Sequence, residues 1–192
     1  MTQNPVRYGL ILFVITFLIF LGVYYFYNGL HYFDVTMKVN SFVLPLLYAL
    51  VAFFSVRKIW KKSHSINFRT AFKNSFLPMF IGGFLSIISM FVFLNYVDTG
   101  AKDLLNYQFT QTNKNELLKV YNKEKSRLKT QKEKDDLDKD FNASMQSFSK
   151  EQLKGKDVFT FKYFSYYFGA IFLFDVIFSF FMASFFRSRN PE

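Results

Sequence analysis

The sequence predicts an all-α integral membrane protein with four transmembrane helices and an extracytoplasmic helical hairpin between helices 3 and 4. Three observations support this fold class. Four apolar stretches of 18 to 24 residues, uncharged apart from Asp175, are long enough to cross a hydrocarbon core of about 30 Å as helices. None of them alternates apolar with polar residues, as the strands of a membrane barrel do. The charged residues lie between these stretches, so the 51% hydrophobic content is concentrated in blocks.

The predicted spans are residues 8–30, 39–56, 74–97 and 163–186 of a single membrane domain of 192 residues, with residues 98–162 inserted before the last span. Helices are favoured because backbone polar groups in lipid must be satisfied within their own segment. We expect the 29 Phe residues to face lipid rather than a ligand. The absence of Cys from the sequence excludes disulfide bonds, thiol catalysis and cysteine-ligated metal centres. The first span is too long for a signal-peptide core, so we expect an uncleaved helix.

The distribution of basic residues predicts the orientation of the chain. The two tails and the second connector, 57–73, carry nine basic residues, whereas the first connector, 31–38, carries one. Basic residues in short loops favour the cytoplasmic side. We therefore expect a bacterial inner-membrane protein with both termini in the cytoplasm and residues 98–162 in the periplasm. Tyrosines at the predicted outer ends of the spans agree with this orientation: Tyr24, Tyr25, Tyr27, Tyr96, Tyr163, Tyr166 and Tyr167.

The inserted segment has a helix-forming composition, because residues 101–154 contain neither Gly nor Pro and are rich in charged residues. Asn113 and Thr130 are each followed three residues later by Glu, the pattern of a helix N-cap. These caps predict one helix over roughly 114–129 and a second over roughly 131–148. Ser149 with Gln152 predicts a short third helix that leads into the last span.

The second of these helices carries an apolar stripe, formed by Leu137, Phe141, Met145 and Phe148. We interpret this face as a docking surface for a partner or, alternatively, as packing within the helix pair or between two copies of the chain. A matching face on the preceding helix is formed by Leu117, Tyr121 and Leu128.

Asp175 is the one charged residue inside a predicted span, close to the bilayer midplane. An acidic residue there is unfavourable by roughly 2.5–3.5 kcal/mol, so a compensating interaction is expected. The hydroxyl groups at similar depth are those of Thr16, Ser86, Ser89 and Ser179. One hypothesis makes Asp175 a proton or cation carrier in a transport path, because burial favours the protonated carboxyl. The other makes it a hydrogen bond between helices that fixes their packing or recruits a partner.

Two further residue sets are predicted to contact other helices or lipid. Small side chains on one stripe of the third span permit close helix contact: Ser75, Gly82, Ser86 and Ser89. The connector 57–73 contains six basic residues and no acid, which suits anionic headgroups on the cytoplasmic side: Arg57, Lys58, Lys61, Lys62, Arg69 and Lys73. Orientation alone also accounts for these charges. We expect no nucleic-acid partner, because no recognition motif accompanies them.

Motifs that carry catalysis are absent from the sequence. His31 and His64 are isolated from other metal-ligating residues, so no metal site is expected. The chain has no nucleotide-binding loop, metalloprotease motif or nucleophile elbow. We therefore expect no catalytic residue, no cofactor and no enzymatic activity. The expected partners are the lipid bilayer and either further copies of the chain or a protein of a membrane complex.

Three segments of the chain resemble a known family. They are YGLILF from Tyr8, INFRTAFKNSFL at Ile66–Leu77 and FLNYVD at Phe93–Asp98. Together with the charged segment before the last span and the basic tail, they resemble an uncharacterised family of small four-helix membrane proteins, domain of unknown function 4199, known mainly from Bacteroidetes bacteria. The resemblance covers about residues 8–187. It implies four spans and an inner-membrane location, and it brings no activity.

These observations predict a multi-pass membrane protein that acts as a non-enzymatic scaffold, assembly factor or accessory subunit. The alternative is an oligomeric transporter of small solutes that is coupled to protons or cations through Asp175. Four helices seldom enclose a solute path alone, which is why the alternative requires several copies.

Overall fold

The computed structural model describes residues 4–63, 65–148 and 157–187, and within these ranges it contains helices and turns but no strand. The helices in chain order are α1 (Pro5–Tyr27), α2 (Tyr32–Ser63), α3 (Phe68–Val97), α4 (Thr99–Lys125), α5 (Gln131–Gln146) and α6 (Phe161–Phe186). The helices α1, α2, α3 and α6 are long and apolar enough to cross a membrane. The predicted all-α membrane class is confirmed. The predicted third short helix, at Ser149 and Gln152, lies outside the described residues.

Local sequence signals determine where the first two spans begin and end. The Asn4 side chain accepts a hydrogen bond from the backbone N–H of Val6, so α1 starts at Pro5. It ends at Tyr27 rather than at residue 30, because Asn28-Gly29 favours a turn. Most of the first connector, 31–38, is the first part of α2. Residues Tyr32–Lys38 are helical, with Asp34 in the first turn and Lys38 in the last, where charges complement the helix dipole.

Helices also extend into the second connector, 57–73, from both sides. α2 continues to Ser63, and α3 begins at Phe68 instead of residue 74. The Asn67 side chain caps α3 by accepting a 2.8 Å hydrogen bond from the Thr70 N–H. Apolarity alone placed the boundaries too far inside the helices, because charged residues continue a helix beyond the lipid core. Five-residue π-helical turns occur in α2 at Val39–Val43 and at the end of α3 at Phe93–Val97.

The described residues fall into two compact units, one formed by the four spans and the other by Gly100–Val158. In the first unit α3 is the central helix and contacts α1, α2 and α6. Glycines allow α1 and α3 to approach closely. A methyl group added at Gly9 would lie 2.8 Å from Cβ of Ile81, and one added at Gly82 would lie 2.8 Å from the Leu12 side chain. The backbones therefore meet at distances that only glycine permits.

Phenylalanines join α3 to α6 in a ladder. Five rings on α3 follow one another at four-residue spacing and stack at centroid distances of 5.4 to 6.3 Å: Phe68, Phe72, Phe76, Phe80 and Phe84. Phe168, Phe172 and Phe180 of α6 meet these rings. The expectation that Phe serves mainly as a lipid-facing residue was therefore incomplete. The ladder borders the lipid-facing surface and also holds two helices together.

The ends of the bundle are fixed by polar and apolar contacts. The Tyr24 hydroxyl at the end of α1 donates a 2.6 Å hydrogen bond to Asp98, just after α3. Asn95 donates a 3.1 Å bond to the carbonyl oxygen of Phe159, just before α6. At the opposite end an apolar cluster joins α2, α3 and α6 and includes Val56, Ile66, Ala71, Met182, Ala183 and Phe186.

The second unit contains α4 and α5. α4 runs without interruption through Asn113, so the helix start predicted there was wrong. A residue that can cap a helix need not begin one when the residues on both sides of it also favour helix. The predicted cap at Thr130 is correct, because Thr130 and Glu133 form a reciprocal capping box at the start of α5. α5 ends at Gln146, two residues before the predicted end.

Candidate functional site

Asp175 faces the interior of the four-helix bundle. Only 1% of its surface is exposed, and Ser179, one turn further along α6, is fully buried. Both side chains lie on the face of α6 that is turned towards the other spans. The carboxyl group therefore does not face lipid, which accords with the high free energy of a charge in hydrocarbon.

The register of the ladder places Ser75 level with Asp175. Two ring contacts lie on either side of this level, namely Phe76–Phe172 at 5.9 Å and Phe72–Phe180 at 5.1 Å. Asp175 falls between the two contacts on α6, and Ser75 falls between them on α3. Ser75 is fully buried. One layer of the bundle thus contains a carboxyl and a hydroxyl from two adjacent helices.

A second polar layer is formed around Tyr48 of α2. Its hydroxyl lies beside the hydroxyls of Thr16 and Ser86, which belong to α1 and α3. Thr16 is 1% exposed, Ser86 2% and Tyr48 5%. Each of the four spans therefore contributes to a set of buried polar side chains, called the polar cluster below, which extends about 16 Å along α3 from Ser75 to Ser86. Its members are Thr16, Tyr48, Ser75, Ser86, Asp175 and Ser179. Ser89 is only half-buried and lines a shallow groove beside Phe17.

Tyr48 was missed from the sequence, although a signal was present. Most other tyrosines of the spans lie at their ends, where a ring with a polar tip is favoured. Tyr48 instead lies in the middle of residues 39–56. A tyrosine at that depth needs a polar partner in the bundle interior, so its position alone indicates a second member of the cluster with Asp175.

Several oxygen atoms of the cluster have unused hydrogen-bonding capacity. In the described part of the chain, the hydroxyl oxygens of Thr16, Ser75, Ser86 and Ser179 and the Oδ1 atom of Asp175 are buried without a hydrogen-bond partner. The proximity of Tyr48 to Thr16 and Ser86 thus falls short of hydrogen-bond geometry. A buried polar atom left in this state costs about 1–3 kcal/mol. The Asp175 carboxyl group can take up a proton or a small cation, and water molecules can satisfy the hydroxyl oxygens.

The predicted contact stripe on α3 lies in the interior. Ser75 and Ser86 are buried in the polar cluster, and Gly82 is covered by Leu12 of α1. A methyl group added at Gly83, beside it, would lie 3.5 Å from the Tyr48 ring and 3.2 Å from Ile171. Small residues thus bring α1, α2 and α6 close to α3, while Ser89 lies nearer the surface.

The six basic residues of the connector occupy different surroundings. The guanidinium of Arg57 lies 5.7 Å above the Phe53 ring, and the ammonium of Lys58 lies 5.9 Å from the Tyr8 ring. Lys58, Lys62 and Lys73 line one open pocket. All six side chains are exposed, and Lys61 and Arg69 do not line this pocket. His31 is exposed, and His64 lies outside the described residues.

In the second unit the predicted apolar stripe of α5 meets α4. The rings of Phe141 and Tyr121 stack at 4.1 Å, and the ammonium of Lys125 lies 2.7 Å from the Asp138 carboxylate. Leu137, Met145 and Phe148 are half-buried. The Phe141 ring is thus occupied within the chain, while Leu118 and Val120 of α4 are 37% and 51% exposed. The two side chains are exposed separately, because residues two apart in a helix do not share a face.

Charges in this unit influence one another. The hydrogen bond from Lys125 lowers the pKa of Asp138, and the same bond raises the pKa of Lys125. The pKa of Glu133 is lowered by its hydrogen bond from Thr130 in the capping box. In the ranges that the structure describes, no three His, Cys, Asp or Glu side chains are grouped as metal ligands.

Comparison with known proteins gives one match. A family model described as "Protein of unknown function (DUF4199)" matches residues 7–188. No curated protein and no solved structure matches the chain. The match covers the four spans and the helical unit between them.

Proposed function

The chain belongs to the family of proteins of unknown function DUF4199, and from this premise we propose that it is a non-enzymatic scaffold, assembly factor or accessory subunit of an inner-membrane complex. In this proposal the four spans are an anchor and residues 100–158 are the part that binds a protein partner. The termini lie in the cytoplasm and residues 98–162 in the periplasm. The nine basic residues of the tails and second connector, against one in the first connector, support this orientation.

The division of the chain into two compact units is the observation that carries the proposal. The membrane unit is closely packed through Gly9, Gly82 and the phenylalanine ladder, as expected for a rigid anchor. The other unit places helices of 27 and 16 residues outside the predicted spans. Its Leu118 and Val120 side chains are exposed, so α4 offers separate apolar contact points for another protein among its charged residues.

A crosslinking experiment in native membranes tests the scaffold proposal. Photoreactive residues at Leu118 and Val120 are expected to crosslink to one defined protein, and Leu118→Lys with Val120→Lys should remove that protein from gently solubilised material. A photoreactive residue at Leu18, which is 60% exposed on a span, is the control for lipid contact. If crosslinks from Leu118 and Val120 match those from Leu18, the second unit does not bind a partner.

Single cysteines test the orientation cleanly, because the natural chain has none. Lys125→Cys is expected to react with a membrane-impermeant maleimide in intact cells, whereas Lys62→Cys should react only after the membrane is opened. The reverse labelling pattern would place the second unit in the cytoplasm and reject the proposed topology.

Transport is the second candidate function, and the unpartnered Oδ1 atom of Asp175 favours it. Asp175 lies in the interior of its own bundle, so a proton or cation that reaches it would pass other buried oxygens of the same chain. In proteoliposomes, Asp175→Asn should abolish a pH-dependent flux, and Asp34→Asn at an exposed position should not. If Asp175→Asn retains both the flux and the fold, transport through this residue is rejected.

A further inference from the structure

An open pocket of about 350 Å³ lies in the membrane unit where α2 ends and α3 begins. Its lining residues include three lysines, Lys58, Lys62 and Lys73, together with Thr70 and Asn74, and Pro5 of α1 lies beside them. Three helices therefore contribute to it. Basic pockets between membrane helices at the headgroup level are a known way of holding anionic lipids.

The charge of this pocket has no compensation in its own sequence segment. Residues 57–73 contain six basic residues and no acid, and in the described residues no salt bridge involves the three pocket lysines. Lys58 and Lys62 lie one turn apart on α2, so their charges repel each other. A bound anion would relieve this repulsion. The surroundings therefore favour an anionic ligand over a neutral one.

The starts of two helices near the pocket also favour a negatively charged ligand. Pro5 is the first residue of α1, and Thr70 and Lys73 lie in the first two turns of α3. The starts of two helices thus adjoin the pocket, and each carries a partial positive charge from its dipole, while the partial negative charge at the end of α2 is opposed by that helix's own lysines. Asn74 is 8% exposed and donates a 2.7 Å hydrogen bond to the Thr70 carbonyl oxygen, which holds its side chain at the pocket wall.

The position of the pocket indicates where the anion comes from. The pocket lies at the end of the apolar spans, near Trp60, which is 41% exposed. Amphipathic Trp rings are typical of the headgroup level of a bilayer. Ile59 adds an apolar wall beside the lysines, suited to the start of an acyl chain.

We propose that this pocket binds the phosphate of an anionic phospholipid headgroup through Lys58, Lys62 and Lys73. Arg57, Lys61 and Arg69 are not among the described residues that line the pocket, and they contribute only to the general surface charge. The proposal is independent of the scaffold and transport functions.

Two triple variants with equal loss of charge separate a pocket from a charged surface. Lys58→Gln, Lys62→Gln and Lys73→Gln remove the pocket charges, and Arg57→Gln, Lys61→Gln and Arg69→Gln are the matched control. Binding of phosphatidylglycerol to the purified full-length protein in neutral detergent is measured by native mass spectrometry, with phosphatidylcholine as the reference lipid. The pocket triple should bind about 100-fold more weakly, and the control triple should lose much less.

Three further measurements complete the test. The charge-preserving triple Lys58→Arg, Lys62→Arg and Lys73→Arg should retain most binding, and the single variants Lys62→Gln and Lys61→Gln provide the same comparison should a triple fail to fold. Inorganic phosphate and glycerol phosphate should compete weakly, because they lack the acyl chain. Equal loss in the two triples, or in the two single variants, would refute a pocket and leave only surface attraction. Competition by free phosphate at the affinity of the lipid would refute the lipid as the ligand.

Discussion

The Tyr24 hydroxyl donates a 2.6 Å hydrogen bond to the carboxylate of Asp98, which joins the end of α1 to the end of α3. The Tyr24 ring also meets Phe93 edge-on at 4.9 Å. A hydrogen bond and a ring contact from one side chain therefore hold the two parallel spans together at the same end.

Tyr24→Phe removes the hydroxyl group and keeps the ring contact with Phe93. Because a donor to Asp98 is lost, we expect a lower unfolding temperature in detergent micelles, measured by circular dichroism. Tyr25→Phe is the matched control, since Tyr25 is 73% exposed. Equal unfolding temperatures for the two variants would mean that the bond to Asp98 contributes nothing.

Gly9→Ala should weaken the contact between α1 and α3. The added methyl group would lie 2.8 Å from Cβ of Ile81 and 3.2 Å from the carbonyl oxygen of Pro78, so the helices must move apart. We expect a loss of about 1–3 kcal/mol in an unfolding titration with dodecyl sulfate, followed by the fluorescence of Trp60.

Gly22→Ala on the same helix is the control for Gly9→Ala. A methyl group there meets no described atom within 4 Å, and Ala has the higher helix propensity. Gly22→Ala should therefore be neutral or slightly stabilising. Similar losses for the two variants would show that helix propensity, and not close approach, determines the effect.

Phe76→Ala interrupts the ladder at its centre. The Phe76 ring contacts Phe72, Phe80 and Phe172, and each aromatic pair contributes about 0.5–1.5 kcal/mol. We expect destabilisation on the order of 2 kcal/mol in the same titration. Phe42→Ala removes a ring that is 74% exposed and should have little effect. A Phe42→Ala loss as large as that of Phe76→Ala would argue against the ladder as a source of stability.

The pair formed by Lys125 and Asp138 predicts a pH dependence in the second unit. The folded-state pKa of Asp138 is lowered from its usual value of 3.8, so its contribution is present above that pH and is lost as the pH falls through the folded-state pKa. The pKa of Lys125 is raised from 10.5, so its contribution is lost only above that value. The pair should therefore stabilise the unit across the neutral range.

A carboxyl titration by carbon-13 nuclear magnetic resonance measures this effect. In the natural sequence the midpoint for Asp138 should lie below 3.8, and Lys125→Met should move it upwards. Lys139→Met is the control, because residues adjacent in a helix do not face each other. A midpoint that is unchanged by Lys125→Met would show that the ion pair is not formed in solution.

The fold was largely predictable, because a segment that crosses the lipid must be apolar along its whole length, and such a segment is visible in the sequence. All four spans and the cap at Thr130 follow from local signals of this kind. The boundaries near Tyr32 and Phe68 did not, since helices continue into charged segments that hydropathy assigns to loops. Asn113 shows the converse error, because a residue that favours a cap also fits within a continuous helix.

Much of the candidate cluster lay beyond local signals. Asp175 stands out in the sequence as the one charged residue of the spans. Ser75 and Tyr48 lie on other spans, and the sequence analysis did not associate them with Asp175. The phenylalanine ladder was missed for a related reason. The four-residue spacing of Phe along α3 is visible in the sequence. Which rings of α6 contact them depends on how the two helices are aligned, and the sequence does not show this alignment.

The sequence by itself determined that four apolar helices cross the membrane and that the charged segment forms helices between the third and the fourth. These properties depend on the length and composition of continuous segments, which can be read directly from the sequence. Only the tertiary structure decided which face of each span turns inwards, and so brought Asp175, Ser75 and Tyr48 into one interior. The physical reason is that a helix apolar on every side has almost no preferred face, so close contacts at Gly9 and Gly82 and the stacking of aromatic rings select one.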